Sequence, residues 1–158
     1  MDMDNEQPEK ETDNMIEFHL PITPPKCTSQ TKRLMIIKGK PMFFPKKEHL
    51  AAENDMLTLC ARHAPEKPLQ GPIALRVTFV FPWRKSESKK SLALGMVPND
   101  TRPDLDNMVK MIGDVLTKLR FYNDDGQVAD LHVRKFWGDQ VGISLRVGEI
   151  LNEGELPL

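Results

Sequence analysis

Asp104, Asp106, Lys110, Asp124 and Asp125 put four carboxylates and an ammonium into one short stretch, RPDLDNMVKMIGDVLTKLRFYNDDGQV, residues 102–128. Carboxylates gathered without a counter-charge protonate or repel one another, and a hard cation relieves that. Ligands that are all oxygen, with room left for water, point to Mg²⁺, with Mn²⁺ as a substitute, rather than to Zn²⁺. A cation so held against a phosphodiester polarises the phosphate and lowers the pKa of a water, which becomes the nucleophile. Lys110 would neutralise charge on the pentacovalent transition state, or position a neighbouring phosphate. The stretch holds no histidine or cysteine, so covalent catalysis is not expected.

These residues need an element to hold them. Leu105, Met108, Val109, Ile112, Val115, Leu116 and Leu119 recur at spacings of three and four, the stripe of an amphipathic helix. Inside a helix, residues two apart diverge by about 200°, so Asp104 and Asp106 could not both be helical and share an ion. Arg102 precedes a proline and is biased to extended backbone. Asp104 then falls at the N-cap, with Leu105 the first helical residue. Lys110 follows Asp106 by four and shares its face. Taken alone, an Asp cap, an Asp in the first turn and an i,i+4 ion pair are what any helix prefers. The second acidic pair changes the weighing, because a turn favours Asn123, Asp124 and Gly126 but does not require two adjacent acids. Which end of the helix Asp125 reaches is not legible from spacing.

The remaining chain supplies a scaffold. Ile16, Phe18, Leu20 and Ile22 alternate with Glu17, His19 and Pro21 as a strand with one face buried, and Pro21 places it at an edge or close to the strand's end. RLMIIK and PMFF flank Gly39-Lys40, a hairpin signal. From Pro45 to His63 the pattern is helical, with Leu50, Leu57, Cys60 and Ala61 as its stripe. Ile73 to Phe81 alternates cleanly and is apolar on its second face too, which predicts a central strand covered on both sides. Residues 83–103 read as one long loop carrying Arg84, Lys85, Lys89, Lys90 and Arg102, suited to clamping a phosphate backbone or simply to solvation. Gln127–Trp137 and Val141–Val147 read as two strands joined by a short turn. The expected fold is a single α/β domain of the mixed α+β kind, with about four to six strands packed against two main helices.

Composition bounds the partners. A net charge of −1 conceals a split: seven acids and one base in residues 1–17 leave −6, Glu149, Glu153 and Glu155 add −3, and the body between carries +8. A basic body flanked by acidic ends suits a polyanion, although excess lysine also serves solubility. Residues 1–15 read as a disordered acidic leader, 16–148 as the folded domain and 149–158 as a flexible tail. No apolar run reaches the length of a membrane span, the polar N-terminus is unlike a secretory signal, and Cys27 and Cys60 have no CxxC spacing. These features predict a reduced, cytoplasmic compartment with no membrane partner.

The joined motifs R-x-D-x-D-N-x-x-K and D-D-x-Q-V, at this separation, resemble the RusA-type Holliday junction resolvases, small endodeoxyribonucleases of phages and prophages. The likeness is strongest over residues 102–147, and looser over LPITPPKCTSQTKR, the first helix and the long strand. It implies a homodimer making paired, Mg²⁺-dependent cuts in a four-way DNA junction, in a bacterial, phage- or prophage-derived setting. Two symmetric sites suit two symmetric nicks. By this resemblance Asp104, Asp106 and Asp125 are metal ligands or catalytic carboxylates, Lys110 is the catalytic lysine and Asp124 is a supporting acid. Arg84, Lys85, Lys89, Lys90, Arg102, Lys32 and Arg33 are expected to meet DNA. The alternatives are a branched-DNA-binding protein without catalysis, or a nuclease for other branched or flap DNA.

Overall fold

The computed structural model describes residues 15–26 and 32–151. Most of the expected leader and tail, and Cys27, lie outside the described residues. Strand β1 (Met15–Leu20) is followed by a hairpin, β2 (Lys32–Ile37) and β3 (Lys40–Pro45), then by helix α1 (Lys47–Ala61) and strand β4 (Ile73–Phe81). Helix α2 (Lys89–Leu94), strand β5 (Met96–Pro98) and helix α3 (Leu105–Lys118) come next. A single 3₁₀ turn (Asp125–Gln127) leads into β6 (Val128–Gly138) and β7 (Gly142–Glu149). The main sheet has five strands in the order β1-β7-β4-β6-β5, with β4 and β6 parallel and the other pairings antiparallel. The hairpin forms a separate two-stranded sheet. This is the mixed α+β domain expected from the sequence.

β4 is central, and alternation sorts its side chains. Ile73, Leu75, Val77, Phe79 and Phe81 join Met56 and Cys60 of α1 and Met108, Met111, Ile112, Val115 and Leu116 of α3 in one core. The expectation of cover on both sides holds only in part. Ala74 and Val80 are buried on the second face, but Arg76 and Thr78 line an open cleft of about 580 Å³. Phe121 and Tyr122, just beyond α3, are wholly buried, and the Leu69 amide donates to the Phe121 carbonyl at 2.7 Å. Burial pushes the Tyr122 phenol up to about 12 and the Cys60 thiol up to about 11.

Two expectations need correction. The buried face of α1 carries His49, Met56 and Cys60, whereas Leu50 is 46% exposed and Ala61 is also exposed. The helix is turned about one residue from the stripe expected, because α3 and the sheet engage Met56 and Cys60. Residues 83–103 are not one loop, since α2 and β5 lie within them and β5 extends the sheet beside β6. As expected, β6 and β7 are joined by a short turn, but they do not pair with each other, because β4 lies between them. Asp139–Val141 carry the chain across the end of β4. Crossing two strand spacings, about 10 Å, is within reach of four Cα steps. Gly142 lands where an added Cβ would come within 2.6 Å of the Leu20 carbonyl oxygen and closer still to the His19 ring, so no larger residue fits.

Candidate functional site

Asp104 is the N-cap of α3, with φ −69° and ψ 137°, and Leu105 begins the helix. The spacing predicted that placement. Its carboxylate makes no capping hydrogen bond. Arg102 Nη1 lies 3.9 Å from Asp104 Oδ2, and both side chains are more than half exposed, so the pair contributes little to stability. Asp106 in the first turn and Lys110 one turn later are exposed. The helix therefore leaves the Asp104 carboxylate available.

The approach to Asp104 is held by residues that sequence reasoning passed over. Asn99 Oδ1 accepts from the Thr101 amide at 2.9 Å and the Thr101 hydroxyl at 2.8 Å. The Asn99 amide donates to the Lys135 carbonyl at 3.0 Å. Lys135 Nζ donates to the Pro103 carbonyl at 2.7 Å and to the Thr101 carbonyl. The Arg102–Pro103 peptide is cis. A polar Asn-Asp-Thr turn before the proline was the available signal. The role of Lys135 in β6 had none, since it depends on tertiary contact.

Asp124 and Asp125 divide the work at the other motif. Asp124 Oδ1 accepts from the Gly126 amide at 2.7 Å. Gln127 Oε1 returns by accepting from the Asp124 amide at 3.0 Å and the Asn123 amide at 2.9 Å. Its Nε2 donates to the Gly71 carbonyl at 3.0 Å and to the Leu69 carbonyl at 3.3 Å. Asp124 and Gln127 thus form a capping box that fastens the turn to the segment before β4. The Asp125 side chain is exposed and makes no hydrogen bond or ion pair among the described residues. It opens on a cleft of about 320 Å³ shared with Asp114, Glu53 and Lys118. Lys118 Nζ bonds Glu53 Oε1, which neutralises one of these acids.

The two motifs occupy different ends of α3. Fourteen helical residues span roughly 21 Å. Asp104 caps the start, whereas Asp125 shares a cleft with Asp114 and Lys118 near the finish. Among the described residues no three His, Cys, Asp or Glu side chains form a group able to hold a metal ion. One chain thus holds two separate groups: Asp104 and Asp106 with Lys110, and Asp125 with Asp114 beside it.

Lys85, Lys89, Lys90 and Arg102 are exposed, as are Lys32 and Arg33 on β2. Arg84 is held by Glu87 at 3.1 Å and lies 5.2 Å over the Trp137 ring. Sequence reasoning missed a row on the open face of the sheet, where Arg76 stands in register with Arg146 on one side and His132 on the other. Arg134 lies one pair further along, opposite Thr78. No helix among the described residues is long and apolar enough to cross a membrane.

The family model described as Endodeoxyribonuclease RusA matches residues 21–148, from the end of β1 through most of β7. The chain belongs to the RusA endodeoxyribonuclease family. It is 25% identical over 134 residues to the crossover junction endodeoxyribonuclease rusA of Lactococcus phage r1t, covering 85% of this chain and 98% of that protein. It is 34% identical over 97 residues to YqaN of Bacillus subtilis (strain 168), covering 58% of this chain and 68% of that protein. The span matched to the RusA family includes both acidic groups and the hairpin.

Proposed function

We propose that this protein is a metal-dependent endodeoxyribonuclease that resolves four-way DNA junctions by paired nicks. It would act as a homodimer in the cytoplasm of a bacterium carrying phage or prophage genes. The observation that carries this reading is the RusA-family match across a fold that leaves the Asp104 and Asp125 carboxylates outside its own hydrogen bonding.

The donors suit Mg²⁺ or Mn²⁺, being exposed carboxylates that would leave room for water. The set is incomplete in one chain, because Asp125 lies at the far end of α3. A two-fold dimer with its α3 helices antiparallel would bring Asp104 and Asp106 toward Asp125 of the partner subunit, and would do so twice. An ion held by these carboxylates would supply Lewis-acid chemistry at the scissile phosphate. Lys110, one turn from Asp106, is then aimed at charge developing on the phosphate. Asp124 supports Asp125 by fixing its turn. Lys85, Lys89, Lys90, Arg84, Arg102, Lys32 and Arg33 would provide phosphate affinity without reading sequence.

Cleavage of a mobile four-way junction in Mg²⁺, compared with three-way, flap and linear DNA, tests this reading. Symmetric nicks confined to the four-way junction are expected, and Asp106→Asn should bind the junction without cutting it. Binding with no cleavage in Mg²⁺ or Mn²⁺ would leave a branched-DNA-binding protein. Equal cutting of flap or linear DNA would remove the junction specificity.

A further inference from the structure

Hairpin β2–β3 stands apart from the core. Its strands pair only with each other, and none of its residues is buried. The register sets Leu34 opposite Phe43 and Ile36 opposite Pro41 on one face. Leu34 is 57%, Phe43 70% and Ile36 74% exposed. A two-stranded ribbon is marginal by itself, and a contiguous exposed apolar face of this kind marks something that it binds.

Charge identifies what covers that face. Residues 32–47 hold Lys32, Arg33, Lys38, Lys40, Lys46 and Lys47 and no acid. Two of the lysines flank the tip, where Lys38 and Gly39 both take positive φ in the tight turn suited to a twisted ribbon. Two copies of the hairpin packed together would set cation against cation, whereas a polyanion satisfies all six. Intact duplex DNA offers phosphates but keeps its base faces stacked. At a branch point stacking is interrupted, and base faces become available to aromatic and aliphatic side chains.

We infer that the β2–β3 hairpin is a wedge that seats Phe43, Ile36 and Leu34 against unstacked bases at the branch point, while its cations hold the flanking phosphates. This rests on the reading of the protein as one that acts on branched DNA. The ribbon's narrow tip, two strands about 4.8 Å apart, is slim enough to enter between separating arms.

A four-way junction carrying 2-aminopurine at its branch point, bound in EDTA, reads the insertion directly. Wild-type protein should change the 2-aminopurine fluorescence on binding. The double variant Ile36→Ser, Phe43→Ser keeps every cation. It should leave the fluorescence unchanged and bind the junction about ten-fold more weakly, with unaltered affinity for linear duplex of equal length. A silent probe with wild-type protein, or equal losses on junction and linear DNA, would overturn the wedge. So would conversion of a wild-type dimer to a monomer by the double variant, which would assign the face to a subunit contact. Fluorescence change without cleavage in Mg²⁺ or Mn²⁺ would support the wedge while removing the nuclease reading. Cleavage with a silent probe would do the reverse.

Discussion

Asp104 and Asp125 lie at opposite ends of α3, one at the N-cap and the other in the cleft beside the last turns. A metal set that uses both therefore needs a second chain, and subunit mixing exposes that requirement. Asp104→Asn and Asp125→Asn should each abolish junction cleavage. When the two variants are mixed and allowed to exchange subunits, half the dimers become mixed, and each of these rebuilds one intact site. Roughly a quarter of wild-type sites should return, seen as single nicks rather than paired cuts. Mixed dimers that stay inactive would exclude a site shared in this way.

The neighbouring acids should separate by phenotype. Asp124→Ala removes the acceptor of the Gly126 amide and should destabilise the protein by about 1 kcal/mol. That corresponds to a loss of about 2–4 °C in Tm, by the scaling for chains of this size, with cleavage retained at low temperature. Asp125→Asn should leave Tm unchanged and cleavage absent. Thermal melting alongside a junction assay distinguishes them, and the reverse pattern would exchange their roles.

The cations of the β4–β5 connection are a question for salt titration. Replacing Lys85, Lys89 and Lys90 with alanine removes three phosphate contacts. The slope of log affinity against log salt should then flatten by roughly three, judged against duplex arms. An unchanged slope would make these lysines spectators on α2 and its approach.

Alkaline stability follows from two buried acids. Cys60, raised from 9.0 to about 11, and Tyr122, raised from 10.0 to about 12, both hold their protons longer folded than unfolded. Their contribution is fully present below pH 9 and is lost as pH rises through about 11 and 12. Tm should therefore decline between pH 9 and 12. Cys60→Ser should remove the lower part of that decline, and an unchanged profile would discount the thiol.

Local rules made much of this molecule legible. The Asp104 cap followed from the proline behind it and the stripe ahead, and β4 followed from strict alternation. Gly39 marked the hairpin tip. What escaped depended on distant chain. The weak pattern of α1 could not distinguish Leu50 from His49 and Met56, because the choice belongs to α3 and the sheet. The short link between β6 and β7 was legible, but not that β4 inserts between the two strands it joins. Arg76 and Arg146 become neighbours only through strand pairing. The destination of Asp125 depended on the direction of the chain after Phe121, which no spacing within the motif records.

The placement of β7 has a bearing on how the protein is made. β7 is the last strand of the sheet in chain order, yet it pairs with β1, the first, and with β4, the central one. Until residues 142–149 leave the ribosome, β1 has no partner in the main sheet and one edge of β4 stays open. Sheet closure thus waits on long-range contacts, which are slow to form because the loop they close is long. During synthesis the first carboxylate pair emerges well before the sheet against which α3 packs. Completion of the sheet sets the earliest moment at which a nascent chain could become a working nuclease.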